Sequence, residues 1–124
     1  MSDDEIRLAL PAVPDFARLA RLTAAGLATR LGFSYDEVED LRIAVSEACT
    51  MLIGSEGRAG TLTLVYGLEP DRISIDASGS FDDDEIPSRE TAAMSEQILK
   101  SVVDEFEYLP AHDTVRLRKR RVGP

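Results

Sequence analysis

Residues 34–50, SYDEVEDLRIAVSEACT, contain the clearest local structural signal in the chain. Ser34 and Glu37 have the spacing of a capping box, and Asp36 and Glu37 place negative charge in the positive first turn of a helix. A core-facing stripe follows at helical spacing: Val38, Leu41, Val45, Ala48, Cys49 and Leu52. A second face carries Ile43, Glu47, Thr50, Met51 and Gly54. This pattern predicts a helix that packs on a sheet and also lines something else.

Strand and helix patterns precede this helix. Ile6, Leu8 and Leu10 alternate with other residues, which predicts a half-buried strand that stops at Pro11. Asp15 is the predicted cap of a first helix, and Gly32 its predicted end. The predicted apolar stripe of that helix is Phe16, Leu19, Ala20, Thr23, Leu27 and Leu31.

The rest of the chain predicts two hairpins around a third helix. The segments, in order, are strands 61–66 and 72–77 joined around residues 69–71, a polar loop 78–87, a helix 91–103, and strands 106–108 and 114–117. The order β-α-α-β-β-α-β-β predicts a single domain over residues 1–124, an α+β two-layer sandwich with a mostly antiparallel sheet and helices on one face.

Charge and composition narrow the function. The net charge is −9, and the first 115 residues hold nine basic and all 23 acidic residues. Such a body repels phosphate backbones, so a nucleic-acid partner is not expected. The remaining basic residues lie in a tail, 116–124, which is interpreted as a solvated segment.

Cysteine and histidine are too few for several classes of site. Cys49 and His112 are the only ones, so no internal disulfide, metal site or histidine-based triad is expected. Cys49 is interpreted as a small buried hydrophobe and His112 as a surface residue. The start of the chain is acidic, unlike a signal peptide, and no apolar run reaches 18 residues. These features predict a cytoplasmic domain without a membrane segment.

The block Val45-Ser46-Glu47-Ala48-Cys49-Thr50 within its capped helix closely resembles the anti-sigma-factor serine kinases. These are RsbW-like switch proteins of the Bergerat-fold (GHKL) ATPase superfamily, which also includes histidine kinases and gyrase. The resemblance extends over residues 20–23, the 61–77 hairpin and Asp104-Glu105. It covers most of the chain in order, and the family's histidine-kinase-like fold agrees with the predicted α+β layout.

The resemblance implies a nucleotide site in which Glu47, Thr50 and Gly79 would take part. In the family, a glutamate prepares the attacking serine hydroxyl, and an asparagine four residues later holds magnesium. Glu47 matches the glutamate and is the one catalytic candidate, although an exposed or capping carboxylate is the simpler interpretation. Met51 stands at the asparagine position, and a thioether is a poor ligand for a hard cation. No metal ligand is therefore assigned.

Two further parts of that site also depart from the family pattern. Ala77 stands where an aspartate would accept a hydrogen bond from adenine, and Asp76, one residue away, is expected to point to the opposite face of its strand. The phosphate-binding glycine-rich box reads MSEQI at 94–98, without glycine. We therefore expect a degenerate nucleotide site and no cofactor, with ATP and magnesium bound only if other contacts compensate.

The resemblance also implies protein partners. Arg21 matches a position on the surface with which the family grips sigma factors, and Arg18 lies near it on the same helix. An ordinary solvated arginine is the alternative interpretation of Arg21. The implied partners are a sigma factor, an anti-anti-sigma antagonist of the STAS type and a second copy of the chain, for which the strand at 5–10 offers an unpaired edge.

These observations predict a regulator that sequesters a sigma factor and is controlled by partner switching with the antagonist. One alternative is an active ATP-dependent serine/threonine protein kinase that phosphorylates the antagonist. Another is a sensor of a small ligand in the former nucleotide pocket. The acidic run at 82–85 could bind a cation, but it lacks the glycine and terminal glutamate of a calcium loop, so a solvated loop is the preferred interpretation.

Overall fold

A computed structural model of the chain describes residues 4–83 and 89–122. Its elements are β1 (Asp4–Pro11), α1 (Pro14–Arg30), α2 (Tyr35–Ile53), β2 (Gly60–Glu69), β3 (Arg72–Phe81), α3 (Arg89–Val102), β4 (Glu105–Leu109) and β5 (Thr114–Arg120), with a short 3-10 helix at Pro110–His112. The predicted order of helices and strands is confirmed. None of the described helices is both long and apolar enough to cross a bilayer.

The described strands form one sheet in the order β1-β2-β3-β5-β4, and each neighbouring pair is antiparallel. Along β2 the side chains of Leu62, Leu64, Tyr66 and Leu68 are buried, whereas the residues between them are half-exposed. This alternation places the helices on one face of the sheet and leaves the other face to solvent. The predicted α+β sandwich is therefore confirmed, with β1 and β4 as its edges.

The central hairpin is longer than predicted. Its strands pair from Gly60↔Phe81 to Glu69↔Arg72 around the turn at Pro70 and Asp71. Residues 78–81, predicted as the start of a polar loop, are therefore strand, because their serine hydroxyls lie across from threonines of β2 on the solvent side. The rest of that loop and of the acidic run, residues 84–88, lies outside the described residues.

The basic tail is not a solvated segment through most of its length. Residues 116–120 belong to β5, which lies between β3 and β4 inside the sheet. Val115 and Leu117 face the core and are fully buried, while Arg116 and Arg118, which alternate with them, are exposed. The inward Lys119 donates from Nζ to the carbonyl of Val102 at 2.9 Å. Alternation, rather than net charge, decides the structure of this segment.

Helix α1 buries only part of its predicted stripe, since Ala20 is fully buried and Leu27 and Leu31 pack partly buried against the core. Its buried residues are Ala17, Ala20, Ala24 and Ala28. The large side chains of Phe16 and Leu19, predicted to lie in the core, are 40% and 46% exposed. Alanines let the helix axis come close to its neighbours, and the Tyr66 hydroxyl donates to the carbonyl of Ala20 at 2.9 Å across that short gap.

The ends of α1 are partly as predicted. Asp15 does not cap the helix: the N-cap is Val13, which makes no side-chain cap hydrogen bond, and Asp15 lies in the first turn after Pro14. Proline is favourable at the first helical position because an N–H there would have no acceptor within the helix, which explains the start at this point. Gly32, at φ +88°, follows the end of the helix as predicted.

Helix α2 begins with the predicted capping box. The Ser34 hydroxyl accepts from the Glu37 N–H, and Glu37 Oε1 accepts from the Ser34 N–H at 2.7 Å. The other oxygen, Oε2, accepts from the Val122 N–H at 2.8 Å, so Glu37 also holds the C-terminal segment against α2. Burial raises the pKa of Glu37, but these backbone donors outweigh burial and leave the pKa below its ordinary value.

Candidate functional site

Helix α2 lies between the other two helices and carries the residues predicted to be functional. It packs against α1 on one side and α3 on the other. The predicted core stripe is confirmed, since Leu41, Val45, Ala48, Cys49 and Leu52 are buried and Val38 is partly buried. The second predicted face is divided between the two sides of the helix: Glu47 contacts α3, and Thr50 faces α1.

On the α3 side, Glu47 is held by a serine. The Ser95 hydroxyl, in a residue that is 2% exposed, donates to Glu47 Oε1 at 2.9 Å. An oxygen that already accepts this bond is less available to take a proton from an incoming hydroxyl. The contact also joins α2 directly to α3 at the place where the resemblance would put a nucleotide.

The positions of the missing asparagine and aspartate both lie in the core. Met51 and Ala77 are fully buried. Asp76 is half-buried on the opposite, solvent-facing side of β3, so the expected effect of the one-residue shift is confirmed. Neither a magnesium ligand nor an acceptor for adenine is supplied at these positions. The described residues hold no group of three His, Cys, Asp or Glu side chains that could bind a metal ion.

Gly79 is covered by an aromatic ring. The Phe81 side chain folds back over it, and a side chain at position 79 would overlap the ring. The guanidinium of Arg58 stacks on the Phe81 ring, with its Cζ atom 3.8 Å from the ring centroid. Gly79 therefore provides room for Phe81, and the inner face of β3 at this end is occupied by protein.

Arg58 links three neighbouring segments over this ring. Its side chain is 7% exposed, and it donates to the carbonyl of Leu52 at 3.2 Å and to Asp83 Oδ1 at 2.8 Å. Its Nη1 is also 3.5 Å from Asp113 Oδ1. The end of α2, the end of β3 and the turn before β5 are thus connected through one planar cation.

On the α1 side of α2 there is an open cleft of about 130 Å³. Its lining residues are Pro14, Ala17, Arg21, Ser46, Cys49, Thr50, Ile53, Gly54 and Ser55. The half-buried Arg21 makes neither a hydrogen bond nor an ion pair among the described residues. Arg18, one turn earlier, is exposed. The cleft thus brings together the Arg21 guanidinium, which has no partner in the described part of the chain, and the hydroxyl groups of Ser46, Thr50 and Ser55.

Cys49, at the floor of this cleft, is a free and buried thiol, as predicted. Burial raises its pKa to about 12, although the nearby Arg21 acts in the opposite direction. The thiol is therefore protonated at neutral pH and is a structural residue rather than a nucleophile. His112 is exposed in the 3-10 helix, also as predicted.

The structure brings Glu47 into contact with Ser95 and Gly79 into contact with Phe81, and it places Thr50 and Arg21 in the lining of one cleft. Sequence reasoning did not single out Ser95, Phe81 or Arg58. A signal existed for two of them: Phe81 follows Gly79 by two residues on the same strand face, and Arg58 is the only basic residue between Arg42 and Arg72.

Comparison with known proteins agrees with the resemblance seen in the sequence. The chain is 40% identical over 91 residues to the serine-protein kinase RsbW of Bacillus cereus strain B4264, a match that covers 69% of this chain and 57% of that protein. It is 41% identical over 88 residues to RsbW of Bacillus subtilis strain 168, covering 66% and 55%. The chain belongs to an RsbW-like family. It spans just over half the length of these curated relatives, and no protein-family model matches it.

Proposed function

We propose that this RsbW-like chain is an anti-sigma-type regulator that acts by binding, not by phosphorylation. In this proposal it sequesters a sigma factor and releases it when a STAS-type anti-anti-sigma antagonist competes. The observation that carries the binding-only part is the contact of Ser95 with Glu47 beside a fully buried Met51. That arrangement leaves the general base engaged and the magnesium position apolar.

Arg21 is the proposed anchor for these partners. It is a half-buried cation that forms no ion pair with residues 4–83 or 89–122, and it lines an open cleft. A guanidinium suits bidentate recognition of a carboxylate. Arg18 adds positive charge one turn away. The chain as a whole carries a net charge of −9, so this pair of arginines is a local exception on an acidic protein. Such a pair favours contact with acidic side chains of a partner.

The test is capture of partners without nucleotide. Purified sigma factors and STAS-type antagonists of the host are titrated against the protein by fluorescence anisotropy at micromolar concentrations. We expect at least one of each to bind, and Arg21→Glu to weaken binding tenfold or more with an unchanged unfolding temperature. Arg30→Glu, at the far end of α1, is the matched control. No binding by any member of the panel would contradict the proposal.

The proposed partners include a second copy of the chain. Phe16 and Leu19 are exposed on α1, and Ile6 is 40% exposed on the edge strand β1. An apolar face beside a free edge suits a two-fold interface. Leu19→Asp is expected to give a monomer in size-exclusion chromatography with light scattering, and an unchanged mass for that variant would remove this face from the interface.

The alternative candidate is an active serine kinase, which the name of the relatives, serine-protein kinase RsbW, favours. It requires nucleotide to bind through rearranged contacts. Magnesium-dependent phosphate transfer to the antagonist, abolished in Glu47→Ala, would support this alternative and contradict the binding-only proposal. A small-ligand sensor is the remaining candidate, and a ligand that stays bound to the folded protein in native mass spectrometry would support it.

A further inference from the structure

A second surface lies on the opposite side of α2 from Arg21, where α2 packs against α3. Two contacts show that these helices run antiparallel. Glu47 meets Ser95 near the middle of both, and Lys119 Nζ lies 3.5 Å from Asp40 Oδ2, near the start of α2, while donating to the carbonyl of Val102 at the end of α3.

Exposed apolar side chains surround the Glu47–Ser95 contact. Ile43 precedes Glu47 by one turn, and Ile98 follows Ser95 by three residues, so both lie beside the contact. They are 43% and 36% exposed, and Met94, next to Ser95, is 70% exposed. We call Ile43, Glu47, Met94 and Ile98 the Glu47 groove. Single exposed apolar residues are common on protein surfaces, but three within one helical turn of the same carboxylate contact are a feature of binding surfaces.

The carboxylate in this groove has no cationic partner among the described residues. Within the described part of the chain, its one hydrogen bond comes from the neutral Ser95 hydroxyl. The charged groups nearest along α2 are already paired, Glu39 with Arg42 at 3.3 Å and Asp40 with Lys119. A half-buried carboxylate among apolar groups attracts a basic side chain more strongly than a fully solvated one does.

We infer that the Glu47 groove binds a basic, apolar segment of the sigma factor, with a lysine or arginine on Glu47 and flanking apolar side chains on Ile43, Met94 and Ile98. This inference rests on the proposed function. A sigma factor fits because proteins that contact DNA expose basic side chains for the phosphate backbone, and the acidic body of this chain complements them. The groove and the Arg21 cleft then recognise opposite charges on the two sides of α2, and occupancy of the groove hides a DNA-binding segment.

The test compares variants against the sigma factor that the wild type captures, at 50 and 200 mM salt. Glu47→Gln removes the charge but keeps an acceptor for Ser95, and Met94→Ser alters a side chain too exposed to affect folding. We expect tenfold weaker binding for Glu47→Gln with a smaller salt dependence, and at least threefold weaker binding for Met94→Ser. Glu39→Gln, an exposed acid on the same helix, is the control, and its affinity should stay within twofold of the wild type.

The outcomes separate this inference from the function on which it rests. If both Glu47→Gln and Met94→Ser bind the sigma factor with wild-type affinity, the inference about the Glu47 groove is overturned, while the proposed function stands. The same holds if these variants lose the antagonist but keep the sigma factor, because the occupant is then the antagonist. If the wild type binds no sigma factor, the proposed function itself fails and the inference fails with it.

Discussion

The two sides of α2 differ in how their polar groups are satisfied. On the α3 side Glu47 is hydrogen-bonded to Ser95, Met51 is fully buried, and the Phe81 ring covers Gly79. On the α1 side Arg21 and Thr50 line an open cleft, and Arg21 has no ion pair among the described residues. On its α3 side α2 therefore packs against other side chains of the protein. On its α1 side it faces Arg21, which has no ion pair among the described residues.

This difference indicates which parts of the α2 surface leave room for a binding partner. A nucleotide site needs space and unpaired polar groups aimed into it, and on the α3 side side chains of the protein fill the space. A binding surface needs exposed groups whose partners come from elsewhere, which the α1 side has in Arg21 and the outer surface of the α3 side has in the Glu47 groove. The predictions below test the contrast, from the largest expected effect on stability to the smallest.

Met51→Asn restores the residue type that the family resemblance implies at this position. The amide would enter a fully buried apolar site without a partner, so we expect a loss of about 3 kcal/mol in the free energy of unfolding, measured in urea. Thr50→Val, the next residue but on the cleft side, should stay within about 0.5 kcal/mol. Equal stability of Met51→Asn and the wild type would mean that the α3 side is already open.

Arg58→Ala removes the cation that holds Phe81 in place over Gly79. The lost stacking and the lost bond to the Leu52 carbonyl predict a decrease of about 2 kcal/mol, since Asp83 and Asp113 are exposed enough to be solvated without it. Arg58→Lys keeps the charge but not the planar fork, and an intermediate stability is expected. If both variants unfold at the wild-type urea concentration, Arg58 does not brace this side.

Glu37→Gln tests the capping box at the start of α2, which supports the helix on both its α1 side and its α3 side. Because the pKa of Glu37 is lowered in the folded state, its charge stabilises the fold fully above the unfolded value near about pH 4.3, and the contribution is lost as pH falls through the folded pKa. The variant should be about 1 kcal/mol less stable at pH 7, with the difference shrinking toward pH 3. A constant difference across this range would contradict the assignment.

The reactivity of the Cys49 thiol tests whether the cleft on the α1 side of α2 opens far enough to expose its floor. With its pKa raised to about 12 by burial, the thiol should react with iodoacetamide at pH 8 many times more slowly in the folded protein than in urea. Fast labelling of the native protein, followed by mass spectrometry, would show that the floor of the cleft is accessible. The stability of the fold is not expected to change in this experiment.

The sequence predicted the fold well wherever a local sequence pattern is compatible with only one structure. The capping box of Ser34 and Glu37 and the turn at residues 70–71 were located correctly because local chemistry determines them. Helix α1 has two stripes at helical spacing, one of large apolar residues and one of alanines. The choice between them depends on how closely neighbouring elements approach, which a single sequence does not encode.

Charge misled the interpretation of the C-terminal segment. Five basic residues in nine suggested a solvated tail, yet Val115, Leu117 and Lys119 alternate inward, and the stem of Lys119 reaches the end of α3. The candidate site was predictable in part. The burial of Cys49 and the orientation of Asp76 followed from periodicity, whereas the Ser95–Glu47 bond joins residues 48 positions apart and needs the tertiary structure.

The most direct test of the account is a calorimetric titration of the purified protein with ATP and ADP, with and without magnesium. With Phe81 over Gly79 and Met51 in the core, we predict no measurable binding up to millimolar nucleotide, and the same sigma-factor affinity whether or not nucleotide is present. Micromolar binding that requires magnesium would contradict the account, because the α3 side of α2 would then hold a working nucleotide site.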